Sequence, residues 1–210
     1  MSSILDALSW RYATKKFDPK KKISPEQLIL LKEGFNLTAS SYGLQPVSLI
    51  IIRNQELKEQ LVVHSMNQQQ VVDASHLLVF CIEKKIDATY VKDYFDRVKS
   101  VRATPDEIIK PFHDYLASHF TSLSSDEIQL WATNQAYLAM GNLLTLCAVE
   151  KIDACPMEGF LPKAYDTVLG LEEKGLQSVL IMPIGFRADD DEFADFKKVR
   201  KSLNEAIIEL

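Results

Sequence analysis

The segment RYATKKF, near the N-terminus, carries a high density of side chains that donate hydrogen bonds. Arg11, Tyr12, Thr14 and Lys15 are donors, and Lys16 adds another cation. Arg11 and Lys15 are four residues apart, so on a helix they would share a face and could hold one anion together. A solvated helix end is the plainer alternative, because basic residues are common in the last turn of helices. The spacing alone leaves both alternatives open.

Two further segments have the composition of ligand-binding loops. TASSYGLQP combines hydroxyl side chains with Gly43, whose backbone is free to adopt unusual dihedral angles, so it could hold a ring or a phosphate. CPMEGF places Pro156 and Gly159 around the carboxylate of Glu158, which could form a rigid loop that presents backbone donors to a ligand. Taken alone, TASSYGLQP is more typical of an ordinary helix-to-strand loop than of a binding loop, and the alternative for CPMEGF is a turn.

A basic run, KKVRKS at 197–202, lies near the C-terminus of an acidic protein. Arginine presents a planar fork and lysine a point charge, so this run could clamp a phosphate. A solvated or mobile tail is the usual alternative for such a run.

Other site chemistry finds little support in the pattern. No metal site is expected, because no histidine or cysteine cluster has metal-ligand spacing. A thiol nucleophile is not expected either, since no histidine neighbours Cys155 in sequence. The residues concerned are His64, His76, His113 and His119, with Cys81, Cys147 and Cys155.

Composition limits the class of protein. A length of 210 residues suits one domain, 1–210, and a net charge of -5 argues against non-specific nucleic-acid binding. The N-terminus lacks the order of a signal peptide, and the most apolar segment, 136–149, is too short to span a bilayer. Three widely spaced cysteines indicate free thiols in a reducing compartment. These features predict a cytoplasmic location and no membrane partner.

Continuous apolar runs predict three strands, at 47–53, 76–83 and 177–185. Strands that are apolar on both faces are usually covered on both faces, so helices should flank the sheet. The predicted order is helix, helix, strand, helix, strand, three helices, strand and tail, a mixed α and β pattern that does not alternate cleanly.

Capping signals predict where several helices begin. SPEQ at 24–27 is a capping box with proline at the first helical position, and TPDE at 104–107 and SSDE at 124–127 follow the same logic. A first helix is predicted over 3–11, and Asn54 should cap another. The helix after SSDE is apolar all round in its second half, which indicates burial on every side and therefore a partner subunit.

The segments RYATKKFD, DASHLLVFC and IDACPMEGF, in this order, resemble the oxygen-insensitive nitroreductase family of FMN-dependent NAD(P)H oxidoreductases. The dihydropteridine reductase branch is a close alternative, and the likeness covers nearly the whole chain. It implies an α+β, nitroreductase-like fold with a central, mostly antiparallel sheet flanked by helices. It also implies an intertwined homodimer with the site at its interface.

The resemblance further implies a site for FMN. Arg11 would bind the phosphate, and Lys15 would lie at the pyrimidine edge of the flavin, near N1 and O2. Reduction leaves negative charge at N1, so a fixed cation there favours hydride uptake. Asn67 would contact the ring's rim, the Glu158 N–H would lie near N5, and Ser40, Ser41 and Gly43 would come from the partner subunit. The remaining implied FMN contacts are Lys198 and Arg200 at the phosphate, Tyr12, Ala13 and Gln70, and the backbone of Pro156, Met157 and Gly159.

The chain departs from the family pattern at Ala13, Gly43 and Gln70, where serine, asparagine and lysine are frequent. The last difference removes a charge beside the flavin and affects redox tuning more than binding. Segment 104–123 aligns poorly and would cover the open face of the flavin. Its candidate residues, for which helix packing is the alternative, are Phe112, Tyr115, His119 and Phe120.

The resemblance thus implies an oxidoreductase that moves hydride from NAD(P)H through flavin N5 to nitroaromatics, quinones or similar acceptors, in a ping-pong mechanism. The flavin carries the chemistry, so no catalytic side chain is assigned. Two alternatives stay open. One is an FMN-binding storage or sensor protein without significant turnover, and the other is a dihydropteridine or enone reductase.

Overall fold

A four-stranded antiparallel sheet forms the centre of the fold, which a computed structural model describes for residues 4–210. The strands are β1 (Val47–Ile52), β2 (His76–Glu83), β3 (Asp153–Ala154) and β4 (Leu176–Gly185), in the spatial order β1-β2-β4-β3. The three predicted strands are confirmed to within one residue at each end. β3 was not predicted, because two residues are too few to produce a recognisable pattern.

Both faces of the two central strands are buried. Successive side chains of a strand point to opposite faces, and in β2 Leu78 and Phe80 enter one core while Leu77 and Val79 enter the other. The continuous apolar runs of β2 and β4 follow from this double burial. β1 differs, because it lies at the sheet edge and is mostly half-buried.

Helices cover both faces of the sheet and confirm the α+β prediction. Residues of α2, α5, α6 and α7 build the core on one face, and residues of α3, α4 and α8 build the core on the other. The predicted first helix is present from residue 4, while residue 3 lies outside the described part. The helices are α1 (Ile4–Trp10), α2 (Pro25–Asn36), α3 (Gln55–Val62), α4 (Gln70–Asp73), α5 (Ala88–Arg102), α6 (Asp106–Ser122), α7 (Ser125–Val149), α8 (Pro162–Leu169) and α9 (Leu203–Ala206).

Two of the predicted capping boxes are present. The Ser24 hydroxyl accepts from the Gln27 N–H at 3.2 Å, and the Gln27 side chain accepts from the Ser24 N–H at 3.1 Å. Ser124 and Glu127 form the same reciprocal pair at the start of α7. These bonds satisfy amide donors that the first turn of a helix leaves free.

The segment between β2 and β4 differs from the prediction in two respects. Thr104 does not cap α6, because Pro105 occupies the N-cap position and the helix has no side-chain cap. Four helices, α5 to α8, fill this segment instead of three. The start of α5 could have been predicted from Asp87, an N-cap residue whose carboxylate accepts from the N–H groups of Thr89 and Tyr90.

α7 is not covered on every side within one chain. Its inner face is buried, but the side chains of Tyr137 and Leu138 are 45% and 55% exposed. Within residues 4–210, no helix combines the length and the apolarity needed to cross a bilayer.

A buried lysine joins α3 to the end of α4. Lys58 is fully buried, and its Nζ donates to the carbonyl oxygens of Val72 at 2.9 Å and Ala74 at 2.5 Å. Burial, followed by the charge of Lys22, lowers the pKa of Lys58 to about 8. Burial, followed by the charge of Lys58, lowers the pKa of the adjacent His76 to about 4, so this histidine is neutral near pH 7.

Candidate functional site

A buried carboxylate shapes the turn that follows α1. Asp191 is 5% exposed, and its Oδ2 accepts from the Tyr12 hydroxyl at 2.7 Å. The same oxygen accepts from the N–H groups of Lys15 at 3.1 Å and Lys16 at 3.2 Å. Burial opposes the charged form, but these hydrogen bonds outweigh it, so the pKa of Asp191 lies below its ordinary value. The turn therefore has a fixed shape that presents its cations outward.

Cations from the two ends of the chain meet beside this turn. Lys198 donates from Nζ to the carbonyl oxygen of Arg11. Burial and the charge of Arg200 lower the pKa of Arg11, and burial followed by Arg11 and Arg200 lowers the pKa of Lys198. The Arg11 Nε is buried and has no hydrogen-bond partner among the described residues. Like charges gathered in this way, which lower the pKa values of Arg11 and Lys198, form a site that attracts an anion.

Arg187 lies close to these cations but already has its counter-charge. Its Nε donates to Asp153 Oδ1 at 2.8 Å, and its guanidinium lies 4.3 Å from the centre of the Trp10 ring and 4.5 Å from that of Tyr12. Asp153 is buried, which makes this pair a fixed wall of the site. Arg187, Asp153 and Asp191 were not predicted from the sequence. The isolated carboxylate of Asp153 in an apolar stretch was a usable signal for one of them.

Lys15, Gln70 and Cys155 meet at the other end of the turn. Lys15 Nζ lies 3.8 Å from Cys155 Sγ, and the Gln70 side chain is also within hydrogen-bonding reach of the thiol. Cys155 is fully buried, and burial raises the pKa of its thiol although Lys15 opposes the rise. The thiol is therefore neutral near pH 7, and the Lys15 cation has no carboxylate partner in residues 4–210.

A chain of amides connects Gln70 to the loop at 155–160. Gln70 donates to Gln68 Oε1 at 2.9 Å, and Gln68 donates to the Gly159 carbonyl at 3.1 Å. A β-carbon at Gly159 would lie 3.2 Å from the Gln68 amide nitrogen, so a larger residue there would require the Gln68 side chain to shift. Asn67 lies in the same turn, with a φ of 56°, and its side chain is exposed.

The loop at 155–160 forms one wall of an apolar groove of about 390 Å³. The Met157 N–H is already used, because it donates to the Ile181 carbonyl at 2.9 Å. In residues 4–210 the Glu158 N–H has no such partner, whereas its carboxylate accepts from the Tyr137 hydroxyl at 2.6 Å. The groove is lined by Tyr137, Met140, Gly141, Leu144, Pro156, Met157, Glu158 and Leu180.

Ser40, Ser41 and Gly43 lie apart from the cations within one chain. The Ser41 N–H donates to Gln135 Oε1 at 2.8 Å, and the Ser40 hydroxyl accepts from the Gln45 N–H at 3.0 Å. Gly43 has a φ of 75°. In the part of the chain that the structure describes, no hydrogen bond joins these three residues to Arg11, Lys15 or Lys198.

Aromatic side chains form a row along the outer face of α6. Phe112 stacks on Tyr115 with ring centres 6.3 Å apart, and Tyr115 stacks on His119 at 5.9 Å. Tyr42, next to Ser41, contacts the edge of Phe112 at 6.3 Å. Tyr42, Phe112 and Tyr115 are exposed, while Phe120 is buried in the core. The segment therefore combines helix packing, through Phe120, with a free aromatic surface.

The arrangement suits an elongated ligand with two different ends. Arg11, Lys198 and Arg200, which form no ion pair within residues 4–210, provide positive charge at one end. Lys15 and a free backbone donor at Glu158 provide polar contacts beside an apolar groove at the other. A planar ring that carries an anionic tail has matching chemistry.

Comparisons with known proteins identify similar sequences and similar folds. A family model described as "Nitroreductase family" matches residues 8–186. A protein of Bacillus subtilis (strain 168), YfkO, provisionally named an NAD(P)H nitroreductase, is 32% identical over an alignment of 200 positions that covers 90% of each chain.

Solved structures share the fold. One from Exiguobacterium sibiricum 255-15, provisionally named a nitroreductase and solved in complex with FMN, has a TM-score of 0.84 at 19% identity, covering 100% of this chain and 98% of that one. The enone reductase CLA-ER, from gut-bacterial fatty acid saturation metabolism, has a TM-score of 0.82 at 19% identity, covering 100% of this chain and 99% of that one.

Proposed function

The chain belongs to the nitroreductase family, and from that premise we propose that it is an FMN-dependent oxidoreductase. It would pass hydride from NAD(P)H to nitroaromatics, quinones or related acceptors. One observation carries the proposal: three cations that have no carboxylate partner within residues 4–210 gather beside a turn that also presents Lys15. The name of YfkO supports the coenzyme, and the name of the Exiguobacterium structure supports the flavin.

The phosphate of FMN would bind at the cationic end. Within residues 4–210 the buried Arg11 Nε has no hydrogen-bond partner, which supports an anion at this position. After burial, the charge of Arg200 lowers the pKa of Arg11, and the charge of Arg11 lowers the pKa of Lys198. Arg200 would add a third positive charge. Charge-assisted hydrogen bonds of this kind are about twice as strong as neutral ones.

The ring of FMN would lie along the groove beside Pro156, Met157, Glu158 and Gly159. Bound FMN would supply the atom that accepts and returns hydride. Lys15 would stabilise the negative charge that reduction places on the ring. The Glu158 N–H is a free donor for a ring atom, whereas the Met157 N–H is not, so Met157 would contribute apolar contact. Further contacts would come from Tyr12, Ala13, Asn67 and Gln70.

We assign no side chain to general acid or base catalysis. The residues would bind and orient the flavin, and the lining of the groove is largely apolar. Coenzyme and acceptor would use the same open face in turn, which gives ping-pong kinetics. The stacked row of Phe112, Tyr115 and His119 offers a planar acceptor an aromatic surface.

The site would be completed by a second copy of the chain in an intertwined homodimer of one-domain subunits. Two observations support this proposal. The α7 side chains of Tyr137 and Leu138 are exposed beside the groove, and the C-terminal segment leaves Leu203 and Ile208 exposed at 75% and 84%. Ser40, Ser41 and Gly43 would then reach the partner's FMN. A cytoplasmic location fits the three free cysteines.

The visible spectrum of the purified protein under anaerobic conditions tests the proposal. We expect flavin absorption bands that bleach when NADH or NADPH is added, and the faster donor identifies the coenzyme. The bands should return when a nitroaromatic or a quinone is added. A colourless protein that takes up no added FMN would refute the cofactor assignment.

The same experiment separates the alternatives. Flavin bands that persist with both coenzymes would indicate a flavin storage or sensor protein. Bands that bleach but return only slowly with nitroaromatics, and quickly with a dihydropteridine or an enone, would indicate a reductase with a narrower acceptor range.

A further inference from the structure

Asp191 lies at the junction between the turn after α1 and the C-terminal segment. Its Oδ2 accepts from Tyr12, Lys15 and Lys16, and its Oδ1 accepts from the Phe193 N–H at 3.2 Å. It therefore caps the short helical turn Glu192–Asp195 while it fastens the loop that bears Lys15. One buried carboxylate thus joins two segments that are far apart in the sequence.

Neutral donors hold this carboxylate. Among residues 4–210, no lysine or arginine side chain forms an ion pair with Asp191, although its neighbour Asp190 pairs with Lys16. Within the same residues, Arg11, Lys198 and Arg200 form no ion pair with this carboxylate.

The segment after Asp191 has few other attachments. Within the described residues, a single hydrogen bond connects residues 192–210 to residues 4–190 apart from those to Asp191, namely the bond from Lys198 Nζ to the Arg11 carbonyl. The positions of Lys198 and Arg200 relative to Arg11 therefore depend on how the segment leaves Asp191.

We propose that Asp191 is a positioning residue that aligns the two halves of the FMN phosphate clamp, Arg11 on one side with Lys198 and Arg200 on the other. This inference rests on the proposed function. It assigns to Asp191 no contact with the flavin and no part in hydride transfer.

Asp191→Asn separates this role from general stability. The amide oxygen can replace Oδ2 and keep the bonds from Tyr12, Lys15 and Lys16, so the turn and Lys15 stay in place. The amide nitrogen would then face the Phe193 N–H, and two donors cannot bond to each other. The variant should therefore release the C-terminal segment and leave the ring end of the site intact.

Binding of FMN and of riboflavin, which lacks the phosphate, provides the readout. We expect Asp191→Asn to raise the Kd for FMN about tenfold and to change the Kd for riboflavin less than twofold, which also shows that the variant is folded. A tenfold change in Kd corresponds to about 1.4 kcal/mol, which is the order of magnitude of the contribution of one N-cap. Loss of the negative charge alone would act in the opposite direction, because it removes repulsion from the phosphate.

Asp190→Asn is the matched control, since Asp190 is exposed and adjacent and also bonds to the turn through Lys16. Both its Kd values should stay within twofold of wild type. Equal weakening of FMN and riboflavin binding by Asp191→Asn, or no weakening of either, would overturn the inference and leave the proposed function untouched. A wild-type protein that binds no FMN would instead refute the proposed function, and with it this inference.

Discussion

Replacement of Lys198 by methionine tests the cationic end of the site most directly. Methionine keeps an unbranched stem and removes the charge that lies against Arg11 and Arg200. The expected effect has opposite signs in the two states of the protein. The apoprotein loses a repulsive charge, whereas the FMN complex loses a phosphate ligand.

The magnitude follows from the exposure of the side chain. A hydrogen bond to a charged group contributes about 1.5–3 kcal/mol, and the lower value applies to Lys198 because solvent screens an exposed cation. A loss of about 1.5 kcal/mol corresponds to roughly a tenfold increase in the Kd for FMN. The free energy of unfolding of the apoprotein should stay within about 0.5 kcal/mol of wild type, as for most surface substitutions.

Quenching of FMN fluorescence during titration of the apoprotein measures the Kd, and urea unfolding measures the stability. Lys201→Met is the matched control, because Lys201 is exposed in the same basic run and makes no hydrogen bond or ion pair within residues 4–210. It should leave the Kd within twofold of wild type. The reasoning fails if Lys198→Met leaves the Kd unchanged, or if the apoprotein loses as much stability as the complex loses affinity.

Three further substitutions test other parts of the fold and the site. His76→Asn should flatten the pH dependence of stability between about pH 4 and 6.5. Burial, followed by the charge of Lys58, lowers the pKa of the folded histidine to about 4, so between these pH values the unfolded histidine binds a proton and the folded one does not. Wild-type stability should therefore rise with pH by up to about 3 kcal/mol across the range. Urea unfolding measures this, and an equal dependence of stability on pH in wild type and variant would contradict it. Gly43→Ala should lower the free energy of unfolding by more than Gly175→Ala. Both glycines have positive φ, but only at Gly43 would the new β-carbon lie 2.7 Å from a tyrosine hydroxyl, and equal thermal unfolding of the two variants would argue against that contact. Tyr115→Ala should raise the KM for a nitroaromatic acceptor about fivefold, because the acceptor loses one stacking contact. The rate at which the coenzyme bleaches the flavin should not change. An unchanged KM would exclude the aromatic row from acceptor binding.

The strands and capped helices could be predicted because their signals are local. Continuous apolar residues mark β2, and the reciprocal bonds of Ser24 and Gln27 lie within one turn of chain. β3 could not be predicted, because its two residues become a strand only by pairing with β4. The prediction that Thr104 caps α6 was wrong, because Pro105 occupies the N-cap position and the helix has no side-chain cap.

The sequence predicted the types of residue in the candidate site but not the residues that hold them in place. Arg11 and Lys15 have recognisable spacing, and a basic run marks Lys198. Asp191 is recognisable only in three dimensions, because its partners lie 175 to 179 positions away in the sequence. Ser40, Ser41 and Gly43 stay a prediction that depends on a second copy of the chain.

The buried Lys58 between α3 and α4 can serve as a chemical probe of local unfolding at this junction. A pKa near 8 leaves a large share of the Lys58 amine unprotonated, and hence nucleophilic, at mildly alkaline pH. Reagents cannot reach the amine in the folded protein, because it is fully buried and donates hydrogen bonds to two carbonyl oxygens. Covalent labelling of Lys58 would therefore proceed only as fast as the junction at Val72 and Ala74 separates. Peptide mapping after timed acylation would then report how often this end of the sheet opens. The exposed lysines, which react without any opening, would serve as the internal control for reagent activity.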